Sequence, residues 1–289
     1  MPSTKEIRGR IKSVKNTSQI TRAMQLVASS KMKKAQDMAK AGHPYAALLA
    51  NILAALGDKV TSVSHPFLEA RETKTRGILV ISTEKGLCGP LNSNLFRELP
   101  NRNEPVKYYV IGRKGRQFLS RSQLDMVASF NVSDSAKFAE VRPVCELMVN
   151  DFKEGKIDTV EVLFPLFKNT LIQTPSFMTL LPINNIQEVA DMLADQHGIT
   201  KNPDDNREIK IEPSPEEVLF GLLELYIKRE MYQLVLDSKA SEHSARMVAM
   251  KTATDNALKL VGDLTLQYNK ARQAAITQEI LEITAAAAS

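Results

Sequence analysis

The sequence predicts an α/β fold in which the two ends of the chain pair as a long antiparallel coiled coil and an open sheet domain is inserted between them. Two patterns carry that prediction. Apolar and small residues recur every seven positions through both ends, a beat absent from the middle. The middle instead alternates short apolar runs with helical stretches, as open and mostly parallel sheets do.

The first helix is expected within residues 1–57. Ile7, Val14, Thr21, Ala28, Ala35, Gly42, Leu49 and Leu56 keep the seven-residue beat, shadowed four positions later by Ile11, Ser18, Gln25, Met32, Ala39, Ala46 and Leu53. A helix of that extent spans roughly 80 Å at ~1.5 Å per residue. Pro44 removes one backbone donor and clashes with the preceding turn, which predicts a kink. Residues 58–74 then read as a linker.

The sheet domain is placed at 75–200. GILVIS (77–82), VKYYVIG (106–112), MVASFNV (126–132), IDTVEVLFPLF (157–167) and TPSFMTLLPI (174–183) read as strands, with helices around 91–99, 113–121 and 136–153. That order describes a Rossmann-like layer. Only Lys168 to Gln173 separate the last two strands, so these form an antiparallel hairpin edge. Ile186 to His197 reads as a short helix, and the polar run over 201–208 opens a second linker, 201–212.

The second long helix is placed at 213–286, with Pro213 and Pro215 setting its start. Met250, Ala257, Leu264 and Ala271 keep the heptad beat, with Ala253, Leu260, Ala274 and Leu281 on the adjoining seam. At roughly 105 Å this helix outruns its partner. Many seam residues are Ala, Gly, Ser or Thr, which permits close approach but buries little apolar area per turn. A slender shaft is the consequence.

Composition narrows the function. The chain has 289 residues, 43% of them hydrophobic, enough for a real core. The most apolar stretch, 160–183, is broken by Lys168, Asn169 and Gln173, so no run reaches the length of a membrane-spanning helix. Cys88 and Cys145 are the only cysteines, too few for a disulfide framework and suited to a reducing compartment. Residues 1–40 hold ten Lys or Arg against Glu6 and Asp37, a net +8 where the whole chain carries +5, leaving −3 for the rest. The beat continues unbroken through this basic stretch to Leu56, so it belongs to the mature fold and is not a targeting peptide.

Catalytic motifs are not evident. The glycine turn Gly86-Leu87-Cys88-Gly89-Pro90 lacks the spacing of either common phosphate-binding loop, and Pro90 removes a donor, so a tight turn is the expected role. Cys88 has no motif partner, and His43, His65, His197 and His243 show no ligand spacing. Neither cofactor nor metal is expected. An enzyme built on the sheet domain would lack a phosphate loop, a nucleophile with its base and a metal cluster.

Four segments carry a family resemblance: TSQITRAMQLVASSKMKKA (17–35), KGLCGPLN (85–92), ASEHSARMVAMKTATDNA (240–257) and YNKARQAAITQEILEI (268–283). Together they resemble the gamma-subunit family of the rotary, proton-translocating F-type ATP synthase, over nearly the full length. The resemblance implies a non-catalytic central stalk. Its partners would be three alpha and three beta subunits around the shaft, with an epsilon subunit and a membrane rotor ring of c subunits at its base.

By the same resemblance Arg272, Gln273 and Thr277 match positions that contact a catch loop of a beta subunit. Met24 and the basic face bearing Lys31, Lys33 and Lys34 match positions that meet acidic beta-subunit loops, and Glu212 matches one near the rotor ring. Each has a plainer role open to it: solvated helix positions for the charged residues, core packing for Met24, a helix approach for Glu212. With no cysteine pair inserted in the sheet domain, the redox switch of the chloroplast version is not expected, and the cytoplasmic face of a bacterial inner membrane is the expected site of work. The rival from another class is a nucleic-acid-binding basic coiled coil, which the +8 helix motivates and the lack of interleaved aromatics disfavours.

Overall fold

The computed structural model describes residues 3–57, 65–69, 71–99, 105–183, 189, 212 and 214–287. The helix expected over 186–197 and the polar run over 201–208 lie outside the described residues but for Val189, as do 58–64 and 70 of the linker expected at 58–74. The elements are α1 (Thr4–Ala41), α2 (His43–Gly57), β1 (Arg76–Ile81), α3 (Leu91–Arg97), β2 (Val106–Ile111), α4 (Arg113–Ser122), β3 (Met126–Phe130), α5 (Phe138–Lys153), β4 (Thr159–Phe167), β5 (Gln173–Leu181) and α6 (Pro215–Ala287). They form two compact units, one of Met1–Ser30 with Arg246–Ser289 and one of Lys31–Ala245.

The long helices start where their sequences supply caps. Ser3 and Glu6 form a reciprocal box: the Glu6 amide donates to Ser3 Oγ at 3.3 Å and the Ser3 amide to Glu6 Oε2 at 3.0 Å. At α6 the Glu217 amide donates to Ser214 Oγ at 3.2 Å, with Pro215 in the first helical position, where a missing N–H costs nothing. The interruption expected at Pro44 falls at Gly42, two residues before the proline. α1 ends at Ala41, Gly42 turns the chain, and α2 begins at His43, because Pro44 cannot donate to the carbonyl of Lys40.

In the first unit the α1 seam is Ile7, Ile11, Val14, Ser18, Thr21, Gln25 and Ala28, each buried or half-buried. On α6 the covered positions are Met250, Thr254, Ala257, Val261, Leu264, Tyr268 and Ala271, with Ala253 half-buried beside them. The adjoining seam therefore runs through Thr254, Val261 and Tyr268. Leu260, Ala274 and Leu281, expected there, are exposed. Alternating steps of three and four fit either flank of the 250–257–264–271 row, and the partner lies on the Thr254 side. Thr21 Oγ1 and Thr254 Oγ1 meet at 2.7 Å, and Thr254 Oγ1 also reaches the Met250 carbonyl at 2.8 Å. Cover on α6 stops at Ala271, seventeen positions beyond Thr254, and seventeen positions before Thr21 lies Thr4, where α1 begins. The two helices therefore run antiparallel.

The second unit is built on a five-stranded sheet in the order β3-β2-β1-β4-β5, with β5 alone antiparallel. Residues of β1 and β2 alternate between its faces. Ile78, Val80, Tyr108 and Val110 meet Leu95 of α3 and Leu119 of α4. Leu79, Ile81, Tyr109 and Ile111 belong to a larger core with Val141, Cys145 and Met148 of α5, Leu53 of α2 and Leu223, Ile227 and Val235 of α6. Pro165 of β4 sits opposite Pro175 of β5 and beyond Leu163, where the β1 ladder ends, so its missing donor breaks no pairing to β1.

Candidate functional site

The residues to which the resemblance points lie in both units. In the first, Met24 is half-buried, whereas Arg272, Gln273 and Thr277 are exposed, beyond the reach of the α1 seam. Thr277 Oγ1 donates to the Gln273 carbonyl at 2.9 Å, a local bond within the helix. The apolar side chains of Ile276, Ile280, Leu281 and Ile283 are exposed as well. A helix running on without its partner while presenting large aliphatic groups to solvent is unfavourable unless another surface covers it.

In the second unit Lys33 and Lys34 are exposed and Lys31 is half-buried. Lys31 is already engaged: its ammonium lies 2.5 Å from Asp134 Oδ2, on the loop between β3 and α5. His243 Nε2 stands 3.7 Å from the other carboxylate oxygen, and Lys239 Nζ donates to the Val132 carbonyl at 3.1 Å while lying 3.7 Å from Glu242. Burial works against ionisation of Asp134, but the hydrogen bond and charge of Lys31, helped by His243 and Lys239, outweigh it and hold the carboxyl below its usual value. Both members of the Lys31 pair are about two-fifths exposed, so solvent screens most of that attraction. Glu212 is exposed in a bend just before α6.

Sequence patterns alone missed this buried polar stretch of α6. Ser238, Lys239, Ser241, Glu242, His243 and Ser244 are all buried, at the motif that begins ASEHSAR. Small side chains there let other backbone approach, and Ser244 Oγ donates to the Thr170 carbonyl of the β4–β5 turn at 2.8 Å. The signal was available in the alternation of small and charged residues where the heptad called for aliphatic ones.

The glycine turn is internally bonded. Leu87 and Gly89 adopt positive φ, 62° and 60°. Asn92 Nδ2 donates to Thr83 Oγ1 at 2.8 Å and to Cys88 Sγ at 3.5 Å, and Thr83 Oγ1 donates to the Lys85 carbonyl at 2.7 Å. Cys145 is fully buried and its thiol is pushed up to about 12, chiefly by desolvation, so it stays protonated near neutrality. Among the described residues no helix is long and apolar enough to cross a membrane, and no cluster of His, Cys, Asp and Glu has metal-binding geometry.

Comparison with known proteins shows the family. A family model described as ATP synthase matches residues 3–289. The ATP synthase gamma chain of Opitutus terrae is 58% identical over 288 residues, covering 99% of this chain and 98% of its own. The chain belongs to the ATP synthase gamma chain family. The gamma chain of Methylacidiphilum infernorum is 44% identical, again over 99% of this chain and 98% of the relative. Among solved structures, the central stalk of Tetrahymena thermophila mitochondrial ATP synthase aligns with a TM-score of 0.59 at 26% identity, covering 81% of this chain and 99% of that one. A chain from the Euglena gracilis mitochondrial assembly aligns at 0.67 over 99% of this chain and 93% of its own, and its 17% identity speaks to fold alone. Nothing in these matches supports the nucleic-acid-binding alternative.

Proposed function

We propose that this chain is the rotor shaft of a proton-translocating ATP synthase, coupling rotation of a membrane ring of c subunits to ATP synthesis or hydrolysis in a head of three alpha and three beta subunits. An epsilon subunit joins it at the base. The chain itself is non-catalytic and works on the cytoplasmic face of a bacterial inner membrane, held there by the complex. The observation that carries this reading is the run of α6 beyond Ala271, exposed residue after residue and aliphatic at Ile276, Ile280 and Ile283. On this reading the alpha–beta head covers it.

A shaft of this kind acts by differential contact. As it turns, each beta subunit meets a different face, and only interactions that differ between angular states can shift nucleotide affinity. On this reading Arg272, Gln273 and Thr277 contact a beta subunit, Arg272 supplying several fixed donors that hold one angle and then release. Met24, Lys33 and Lys34 meet the acidic loops of beta subunits, as does Lys31 in exchange for Asp134. Glu212 faces the rotor base.

Recovery of the tagged chain from bacterial membranes tests the assignment. We expect alpha, beta and this chain at three, three and one, together with the c ring, identified by mass spectrometry. Recovery of the chain free of these subunits, or bound to nucleic acid in their place, would sink it.

A further inference from the structure

We propose that the groove between α3 and α4 is a binding site for a phosphate-bearing ligand. It is a cavity of about 400 Å³, within the range of small-molecule sites. Arg97 of α3 and Lys114 and Arg121 of α4 line it, with no acidic residue in the lining. On α4, Lys114, Gln117, Phe118 and Arg121 recur at three- and four-residue steps and so share one face.

The charge distribution argues for an anion. α4 carries Arg113, Lys114, Arg116 and Arg121 and no Asp or Glu, although the chain beyond residue 40 is net negative. Among the described residues Arg97, Lys114 and Arg121 make no ion pair. Three cations about one depression, with no paired carboxylate among the described residues, repel one another, and a multiply charged anion relieves that repulsion. Arginine at two of the three positions suits the planar, forked donation that phosphate oxygens accept.

The walls favour a compact ligand. Phe96 and Phe118 stack with ring centroids 4.4 Å apart and 14° between planes, a firm apolar side that lowers the local dielectric. Ser93 and Gln117 add neutral hydrogen-bonding groups at the rim. The Lys114 stem passes the glycine turn, where a Cβ built on Gly86 would lie 3.8 Å from its Cε. Binding here therefore touches that loop without using it as a phosphate cradle.

Inorganic pyrophosphate added to the full-length chain, followed through the arginine Nε–Hε resonances, tests the site; flotation with phosphatidylglycerol vesicles tests whether the phosphate is a lipid headgroup. Saturable shifts at Arg97 and Arg121 are expected, with affinity at least about tenfold weaker in Lys114→Gln/Arg121→Gln and unchanged in the control Arg10→Gln/Lys12→Gln. Vesicle binding with the same dependence on residues 114 and 121, without pyrophosphate binding, assigns the ligand to lipid and keeps the site. Absence of both, or equal loss in the control pair, overturns the proposal.

Discussion

Glu230 is a carboxyl group sealed inside the protein, 2% exposed, with Oε2 accepting no hydrogen bond and standing 4.0 Å from an equally unbonded Arg229 nitrogen. Burial raises its pKa from 4.5 to about 7, with Arg229 opposing and Asp237 adding to the rise. Below about 4.5 folded and unfolded chains both hold the proton. Between 4.5 and about 7 the unfolded chain releases a proton that the folded chain keeps, so stability falls as pH rises, and above about 7 the loss is complete. The full effect is on the order of 3 kcal/mol. Asp237, raised from 3.8 to about 6 by burial, adds the same sign over a lower window. Urea unfolding of Glu230→Gln at pH 5 and pH 8 is expected to show a flatter dependence and a more stable protein at pH 8; an unchanged slope would contradict this account. Gly112 is a second sensitive position. Its φ is 99° and a Cβ there would collide with the Ser82 carbonyl oxygen, so Gly112→Ala is expected to cost at least about 3 kcal/mol by thermal or urea unfolding.

At the scale of elements, the heptads of α1 and the strand runs were legible because each side-chain period follows directly from backbone geometry. Ile7 to Ala28 carry the observed seam, and β1 to β5 end within two residues of their expected limits. The flank chosen on α6 was not legible. Ala253 and Leu260 satisfy the same spacing as Thr254 and Val261, and leucine is the stronger apolar cue, yet the partner's side is a tertiary fact. Hydroxyl pairing decides it locally, since Thr21 and Thr254 can satisfy each other across the seam. The packing predicts unequal costs for equal truncations. Leu264→Ala, at a buried seam position, should lose about 2 to 3 kcal/mol, whereas Leu260→Ala should stay within about 0.5 kcal/mol in the isolated chain. Equal losses would restore the flank suggested by the sequence. The polar contents of α6 were illegible for a related reason: Lys239 and His243 look solvated in any single-helix pattern, and the β3–α5 loop, bringing Val132 and Asp134, helps to make burial tolerable.

At the scale of the whole molecule, the α6 positions proposed to contact beta are ones the chain's own fold uses little, unlike Lys31, which is paired with Asp134. Arg272 and Gln273 are exposed and lie past the α1 seam, so truncating both should leave the chain's own unfolding midpoint unchanged. In the assembled complex the expectation differs. Charged hydrogen bonds lost at an interface typically cost about 1.5 to 3 kcal/mol each, and a contact made in some angular states and broken in others transmits that loss to turnover. Arg272→Ala/Gln273→Ala is therefore expected to slow steady-state ATP hydrolysis by at least tenfold, about 1.4 kcal/mol, or to weaken retention of the chain by the head. If these are merely solvated helix positions, both readouts stay within about 0.5 kcal/mol of the unmodified complex. Measuring hydrolysis and subunit retention on the same preparation separates a contact that holds the shaft from one that times it. A loss confined to retention marks anchoring; a loss confined to turnover marks coupling through states of different contact energy, the behaviour a rotating shaft requires.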